Sequence, residues 1–252
     1  MRYATIGAGK RIRPAVCLLA ARAVGGHEVE GHAMAGAVAV ELIHNYSLIH
    51  DDLPCVDDDD ERRGKPSCHI AFGEAMAVLA GDGLLTEAFS RLALSDLPAG
   101  RQVRSIAVLA ECAGIAGMVG GQAVDVDAEA RLSSLDELES LHRRKTAALF
   151  EAAATLGALA GGGDEEQIQA LADYGRALGL LFQATDDLLD WQGESATGEH
   201  ERRTSLVGRL GSDGARARAA EHGATAKRAL EGTAASSTPL AALVDRLLER
   251  SA

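Results

Sequence analysis

The chain has 252 residues, a formal net charge of -12 and 47% hydrophobic residues. This length allows one large domain or two small ones, and the hydrophobic content is sufficient for a buried core. The acidic balance argues against nucleic acid or an anionic membrane as a partner, because both require a basic surface. Aromatic residues make up only 3%, which favours closely packed helices over strands built from aromatic and β-branched residues.

Apolar residues recur with helical periodicity along most of the chain, and clusters of glycine or proline interrupt that periodicity. The pattern predicts helices at residues 12–24, 31–53, 72–95, 101–121, 135–161, 164–191, 212–231 and 238–250. The stretch 147–159 is small or apolar almost all round, which is typical of a helix inside a bundle. No long linker divides the chain, so residues 1–252 are predicted to form a single all-α domain.

Three features of the sequence bear on where the protein is located in the cell. Charges such as Asp82, Glu87 and Arg91 interrupt the apolar runs, so we expect no membrane span. The N-terminal residues lack the apolar stretch of a signal peptide. The four cysteines show no CxxC spacing, which favours free thiols and a cytoplasmic protein.

A first acidic cluster lies in the segment HDDLPCVDDDDERRGKP. Asp51 and Asp52 end a long predicted helix, and Asp57 follows Pro54. Most charge runs of this kind are solvated loops, and that reading stays open here. Two details favour a cation site. Carboxylates at the negative end of a helix are poorly placed without a compensating cation, and Pro54 breaks the helix so that Asp57 can fold back toward Asp51.

A second acidic cluster lies in the segment FQATDDLLD. Asp186 and Asp190 are four residues apart on one face of a predicted helix, about 6 Å along its axis. The helix is otherwise largely apolar over 177–189, so this face is expected to point inward, where like charges repel. Mg²⁺ relieves such repulsion, because it binds one or two carboxylates together with water and phosphate oxygens. Two such clusters facing each other across a cavity would clamp a diphosphate.

Several basic residues lie close to these clusters in sequence. Lys10 and Arg13 are near the N-terminus, Arg62 and Arg63 follow the first acidic run, and Lys145 begins an apolar helical stretch. Solvation at the surface is the ordinary interpretation for most of them. Lys145 differs because its neighbours on the same helical face are apolar, and a buried ammonium group requires an anion.

Five sequence boxes follow one another along the chain: GAGKRIRP, ELIHNYSLIHDDLPCVDDDDERRGKPSCH, the GGQ at 120–122, KTAALF and GLLFQATDDLLD. In this order they resemble those of the trans-isoprenyl diphosphate synthases, the polyprenyl synthetase family. The similarity is greatest to bacterial farnesyl and geranylgeranyl diphosphate synthases, and it extends from residue 7 to about residue 211. The resemblance implies a bundle of antiparallel helices around a central cavity, an isoprenoid synthase fold, and a homodimer.

The resemblance also implies a reaction and its residues. Isopentenyl diphosphate would condense with an allylic diphosphate, such as dimethylallyl or geranyl diphosphate. Three Mg²⁺ ions on the allylic diphosphate would be held by Asp51, Asp52, Asp57, Asp186 and Asp190, with Asp187 in support. The implied diphosphate ligands are Arg62 and Lys145 for the allylic substrate, and Lys10, Arg13, His44 and Arg63 for isopentenyl diphosphate. Thr146 and Gln183 would offer oxygen dipoles to the carbocation that forms when the allylic carbon–oxygen bond ionises.

Product length is expected to depend on Tyr46. It precedes Asp51 by five residues, about one and a half helical turns deeper, on a face that could floor the cavity. In the resembled family, an aromatic residue there, with the longer DDLPCVD spacing, goes with a farnesyl product. Ser47 is small and sets no further limit. The KTAALF and GLLFQ boxes resemble those of geranylgeranyl synthases more closely, so geranylgeranyl diphosphate is the alternative product. The alternative for Tyr46 is that it is a core aromatic residue with no role in product length.

The chain departs from the family pattern in three places. The N-terminal helix that members usually have before the first box is expected to be missing, and Ala8 replaces a glycine in that box. After the second acidic cluster, the segment GEHERRTS replaces a lysine-rich stretch. His200 stands near the position of one lysine, and Arg202 or Arg203 near that of another.

Two alternatives come from other functional classes. A class I terpene cyclase also ionises a prenyl diphosphate, but its second metal box normally contains Asn and Ser or Thr, and it lacks an isopentenyl site. A non-catalytic subunit of a heteromeric synthase would be expected to have damaged aspartate boxes, whereas both boxes are intact here.

Overall fold

The computed structural model describes residues 1–7, 9–127, 132–192, 204–231 and 239–250. In these ranges the α-helices are α1 (Arg2–Thr5), α2 (Ile12–Gly25), α3 (Glu30–Asp51), α4 (Cys68–Phe72), α5 (Glu74–Ala93), α6 (Ala99–Ala113), α7 (Met118–Val126), α8 (Leu135–His142), α9 (Ala148–Ala160), α10 (Glu165–Gln192), α11 (Leu206–Ala229) and α12 (Pro239–Glu249). A 3₁₀ turn at His27–Val29 precedes α3, and a π-helical turn at Arg143–Ala147 joins α8 to α9. The strands β1 (Glu61–Arg62) and β2 (Lys65–Pro66) form a short antiparallel hairpin. The predicted all-α class is confirmed.

Helix α9 occupies the centre of the bundle. Every residue of α9 except Glu151 is buried, and the helix packs against α2, α3, α6 and α10. Its many Ala and Gly residues allow this close packing on all sides. A Cβ atom on Gly157 would lie 2.2 Å from the carbonyl oxygen of Cys17 in α2, so only glycine permits this approach. The interior position predicted for residues 147–159 is confirmed.

One predicted helix is divided in the structure. Residues 101–121 span α6 and α7, which are separated by a turn at 114–117. An uninterrupted helix was the wrong prediction here because the turn residues are small or apolar, so the hydrophobic pattern continues through the break. The helix predicted at 72–95 corresponds to α5, which begins after Gly73, with a φ of 84°, and is preceded by the short helix α4.

The predicted helix 135–161 is continuous except for the π-helical turn. A π turn is wider than an α turn and often occurs at functional sites. Helix α7 packs directly against it, since a Cβ atom on Gly121 would lie 2.4 Å from the backbone nitrogen of Lys145. The Lys145 and Thr146 side chains extend from this wide turn.

One stretch, Ala99–Val126, is long and apolar enough for a membrane span by length and composition, because an 18-residue window within it has a mean hydropathy of 1.5. The expectation that charges would interrupt every candidate therefore fails for this stretch. In the structure the stretch is bent at 114–117 into helices of 15 and 9 residues, each shorter than the roughly 20 residues that a span needs. The absence of a membrane span stays a prediction.

Candidate active site

A cavity of about 810 Å³ opens between α3, α7, the π turn and α10. Asp51, at the end of α3, and Asp186, on α10, both line it. The two acidic clusters therefore meet at one hollow, as the sequence predicted. The predicted site residues on its wall are Arg13, His44, Tyr46, Ser47, Asp51, Arg62, Arg63, Lys145, Thr146, Gln183 and Asp186.

The first acidic cluster folds back on itself at the end of α3. The backbone N–H of Asp57 donates to the carbonyl oxygen of Asp51 at 2.9 Å, so the reversal expected after Pro54 is confirmed. Burial raises the pKa of Asp51 to about 7, with Lys145 acting against the shift and Asp57 adding to it. Burial also raises the pKa of Asp57. The negative charge here is thus only partly compensated by the protein.

Asp52 and Arg62 form a partly buried ion pair beside this cluster. Arg62 Nε donates to Asp52 Oδ1 at 2.8 Å, and Nη2 of the same guanidinium donates to Asp59 Oδ2 at 2.6 Å. Arg62 is held here by the β1–β2 hairpin, whose two-residue turn, Arg63 and Gly64, has φ values of 56° and 75°. Such turns suit the twist of a hairpin. The turn leaves both arginines on the cavity wall.

The second acidic cluster lacks the reversal of the first, because it lies inside the continuous helix α10. Burial raises the pKa of Asp186, Arg250 and Lys10 act against the shift, and Asp190 adds to it. Arg250 Nη2 lies 3.5 Å from Asp186 Oδ1, and its guanidinium lies 5.9 Å from the centre of the Phe182 ring. Sequence reasoning missed Arg250, because it follows the last helix and belongs to no box.

Asp187 does not line the cavity. Its Oδ2 accepts the backbone N–H of Leu206 at 2.7 Å, and its Oδ1 accepts Nε2 of Gln183 at 2.8 Å. Burial raises its pKa, while His142, the Leu206 N–H and Gln183 act against the shift. His142 Nε2 donates to the carbonyl oxygen of Thr204 at 2.7 Å. Asp187 and His142 together fix the start of α11.

A basic cluster occupies another part of the wall. The Arg13 guanidinium stacks 4.5 Å from the centre of the Phe150 ring, burial lowers its pKa to about 10, and its Nε has no hydrogen-bond partner among the described residues. Arg63 Nη2 donates to His44 Nε2 at 3.3 Å. Burial, followed by the charges of Arg13 and Arg63, lowers the pKa of His44 well below its usual value. His44 is therefore neutral, and the crowded guanidinium groups favour a bound anion.

Lys145 has an anionic partner that sequence reasoning missed. Its Nζ donates to the carboxylate of Asp125 on α7, which is only 8% exposed. The available signal was a single aspartate in the apolar stretch GGQAVDV, four residues after Gly121. The Lys145 side chain is only partly buried, with 31% of it exposed, yet its ammonium group does have an anionic partner. The ion pair lies between α7 and the π turn.

The remaining predicted site residues either do not line the cavity or lie outside the residues that the structure describes. Asp57 lies close enough for Lys145 to influence its pKa, and Lys10 influences that of Asp186. Asp190 lies one turn beyond Asp186 on α10. His200, Arg202 and Arg203 lie outside the described residues.

The residues present fit an open magnesium site. Within the described ranges, no group of three or more His, Cys, Asp or Glu side chains is close enough together to hold a metal ion. Mg²⁺ does not need one, because it commonly binds one or two carboxylates and completes its shell with water and phosphate oxygens. Asp51 and Asp186 offer such carboxylates at the same cavity. Burial raises the pKa of both, with a smaller contribution from neighbouring carboxylates, and a bound cation would favour their charged forms.

Comparison with known families agrees with this geometry. The sequence pattern of the Polyprenyl synthetase family matches residues 1–202. The crystal structure of a geranyltransferase from Legionella pneumophila is similar, with a TM-score of 0.86 and 37% identity over 99% of this chain and 86% of that chain. The chain belongs to the polyprenyl synthetase family.

Curated relatives carry related names. Geranylgeranyl pyrophosphate synthase 12, chloroplastic, from Arabidopsis thaliana is 52% identical over 75% of this chain and 54% of that protein. Geranylgeranyl pyrophosphate synthase, chloroplastic, from Capsicum annuum is 43% identical over 99% of this chain and 70% of that protein. The chain spans about half the length of several of the curated relatives that it matches.

Proposed function

We propose that this protein is a short-chain trans-prenyltransferase that joins isopentenyl diphosphate to dimethylallyl or geranyl diphosphate. The observation that supports this most strongly is the meeting of Asp51, Asp186 and a separate basic cluster at one cavity. Two diphosphates require two anion sites, and the cavity offers one through carboxylates and metal, and one through arginines.

The allylic diphosphate would bind between the acidic clusters. Arg62 and Lys145 are held on the cavity wall by Asp52 and Asp125, so both cations are positioned before the substrate arrives. Mg²⁺, bound by Asp51, Asp52, Asp57, Asp186 and Asp190, would supply the positive charge that stabilises the departing diphosphate. The number of three ions follows from the family resemblance.

Isopentenyl diphosphate would bind at the basic cluster, formed by Lys10, Arg13, His44 and Arg63. Arg13 has a buried Nε without a partner among the described residues, which a phosphate oxygen would satisfy. Neutral His44 can donate one N–H from its ring without adding charge to an already crowded cationic site. This site needs no metal, since the guanidinium groups neutralise the diphosphate directly.

The carbon chemistry would take place between these two sites. The allylic carbon–oxygen bond ionises, the isopentenyl double bond attacks the resulting carbocation, and the released diphosphate removes a proton from the adduct. Thr146 and Gln183 line the cavity with polar oxygens, and such oxygens stabilise a developing positive charge when they are fixed in advance. The apolar wall, which includes Met118, Val119 and Phe182, keeps water away from the cation.

We expect purified protein to condense the two substrates only when Mg²⁺ is present. Asp51→Asn and Asp186→Asn should each lower kcat by at least about 100-fold, because each removes a carboxylate that holds metal on the substrate. Radiochemical turnover measures this. Asp58→Asn removes one exposed acid from the first acidic cluster and serves as the matched control. Near-wild-type turnover in either the Asp51 or the Asp186 variant would refute the proposed site.

Product length is proposed to be set by Tyr46. This residue is 5% exposed, lines the cavity, and packs edge-on against His50 with ring centres 5.7 Å apart. The His50 ring lies against Gly81, where a Cβ atom would come within 2.1 Å of its Nε2, and Nε2 donates to the Val78 carbonyl at 3.1 Å. A rigid aromatic floor favours farnesyl diphosphate. The names of the curated relatives favour geranylgeranyl diphosphate instead, which is the second candidate product.

If Tyr46 is the floor, Tyr46→Ala should shift the product from farnesyl to longer prenyl diphosphates, because it opens space below the growing chain. Chromatography of dephosphorylated products measures the shift. Ser47→Ala changes the adjacent small residue of the same wall and should leave the product unchanged. A wild-type protein that makes mainly geranylgeranyl diphosphate would contradict the role given to Tyr46.

A homodimer is proposed on the basis of an apolar surface on α4 and α5. Ile70, Phe72, Met76 and Leu79 are all more than half exposed, and the last two lie three residues apart on one helical face. A second copy of the chain would cover such a patch. Two curated relatives are named heterodimeric large subunits, so a different partner chain is the competing arrangement.

Sedimentation equilibrium of the purified chain should give twice its mass of 26.2 kDa. Leu79→Glu should yield monomers, because it places a charge within the proposed interface, while Met34→Glu on α3 should not. A wild-type protein that sediments as a monomer would contradict the homodimer.

A further inference from the structure

A continuous line of hydrogen bonds runs from the cavity wall to the start of α11. Thr146 Oγ1 donates to Gln183 Oε1 at 2.7 Å, and Gln183 Nε2 donates to Asp187 Oδ1 at 2.8 Å. The backbone N–H of Leu206 donates to Asp187 Oδ2 at 2.7 Å. Thr146 and Gln183 reach the cavity, whereas Asp187 is 7% exposed behind them.

The donor and acceptor groups along this series of hydrogen bonds allow only one direction of donation. A backbone N–H can only donate, so Asp187 must accept at Leu206. The other oxygen of the ionised carboxylate likewise accepts from the group that faces it. The side of the Gln183 amide that faces Asp187 is therefore the NH₂ group, and its oxygen faces Thr146. Thr146 then commits its single proton to Gln183. Only lone pairs of the hydroxyl remain to face the cavity.

We propose that Asp187 is a positioning residue that turns the oxygens of Gln183 and Thr146 toward the reacting carbon. The inference rests on the proposed function, in which that carbon becomes cationic. Both carboxylate oxygens of Asp187 are engaged by protein donors, so its contribution comes through Gln183 rather than through the metal. A fixed oxygen dipole stabilises a carbocation, and an N–H or O–H dipole in the same place destabilises it.

Asp187→Asn tests this direction with almost no change in shape. The carbonyl of the introduced asparagine must stay on the Leu206 N–H, because the opposite orientation would set two donors against each other. Its NH₂ group then faces Gln183, whose amide must rotate and present its own NH₂ to Thr146. The Thr146 proton is released toward the cavity. We expect kcat to fall about 100-fold, with KM for both substrates near the wild-type value because neither diphosphate site changes.

The double variant Asp187→Asn with Gln183→Glu supplies the rescue. The carboxylate introduced by Gln183→Glu accepts from both the asparagine amide and Thr146, which restores the original direction of the line. Its kcat should recover most of the loss seen in Asp187→Asn. Gln183→Glu alone sets two carboxylates face to face and should be impaired. The single variant Asp187→Asn and the double variant both keep the contact with Leu206. If Asp187 acted only through that contact, the loss of kcat would be the same in the two variants.

Stability and activity are measured separately, so that two kinds of failure can be distinguished. Urea unfolding should show that the double variant is more stable than either single variant, whether or not turnover is detected. No condensation by the wild-type protein would refute the proposed function. Stability that recovers in the double variant while kcat does not would overturn the positioning role, as would an unchanged kcat in Asp187→Asn.

Discussion

The site depends on the burial of unlike charges at separate places on one cavity wall. Asp51 and Asp186 bring partly uncompensated negative charge to the wall, and Arg13 brings positive charge with an Nε that has no partner among the described residues. Burying such groups is costly unless partners arrive from solution. We propose that these partners are divalent cations for the carboxylates and diphosphates for both charged regions. The buried charges therefore lower the stability of the protein without substrates, and the same charges favour strong binding of the substrates.

The surrounding helices are built to hold these charges in place. Helix α9 is buried almost entirely, and Gly157 lets α2, the helix that carries Arg13, approach it closely. The π turn before α9 presents Lys145 and Thr146, and Gly121 brings α7 against that turn. Small residues at these contacts therefore act on the chemistry indirectly. They set the distance between the packed backbones, and this distance determines the positions of the charged groups on the cavity wall.

Much of this arrangement could be predicted from the sequence, and what could not has physical reasons. The reversal at Pro54 and the inward face of Asp186 follow from local rules of helix geometry. The partner of Lys145, Asp125, was missed because their pairing depends on how α7 packs against the π turn. The role of Asp187 was equally hidden, because neighbouring aspartates in one box look alike until the structure shows Leu206 beside one of them.

We propose that the two acidic clusters act together on one diphosphate through shared divalent cations. Titration calorimetry with inorganic pyrophosphate, with and without excess Mg²⁺, tests it directly. We expect Mg²⁺ to strengthen pyrophosphate binding by at least about tenfold. Asp51→Asn and Asp186→Asn should each abolish most of this gain, while Asp58→Asn should retain it. Pyrophosphate binding that is equally strong without Mg²⁺, or a gain that survives both substitutions, would show that the two clusters do not hold the diphosphate through shared cations.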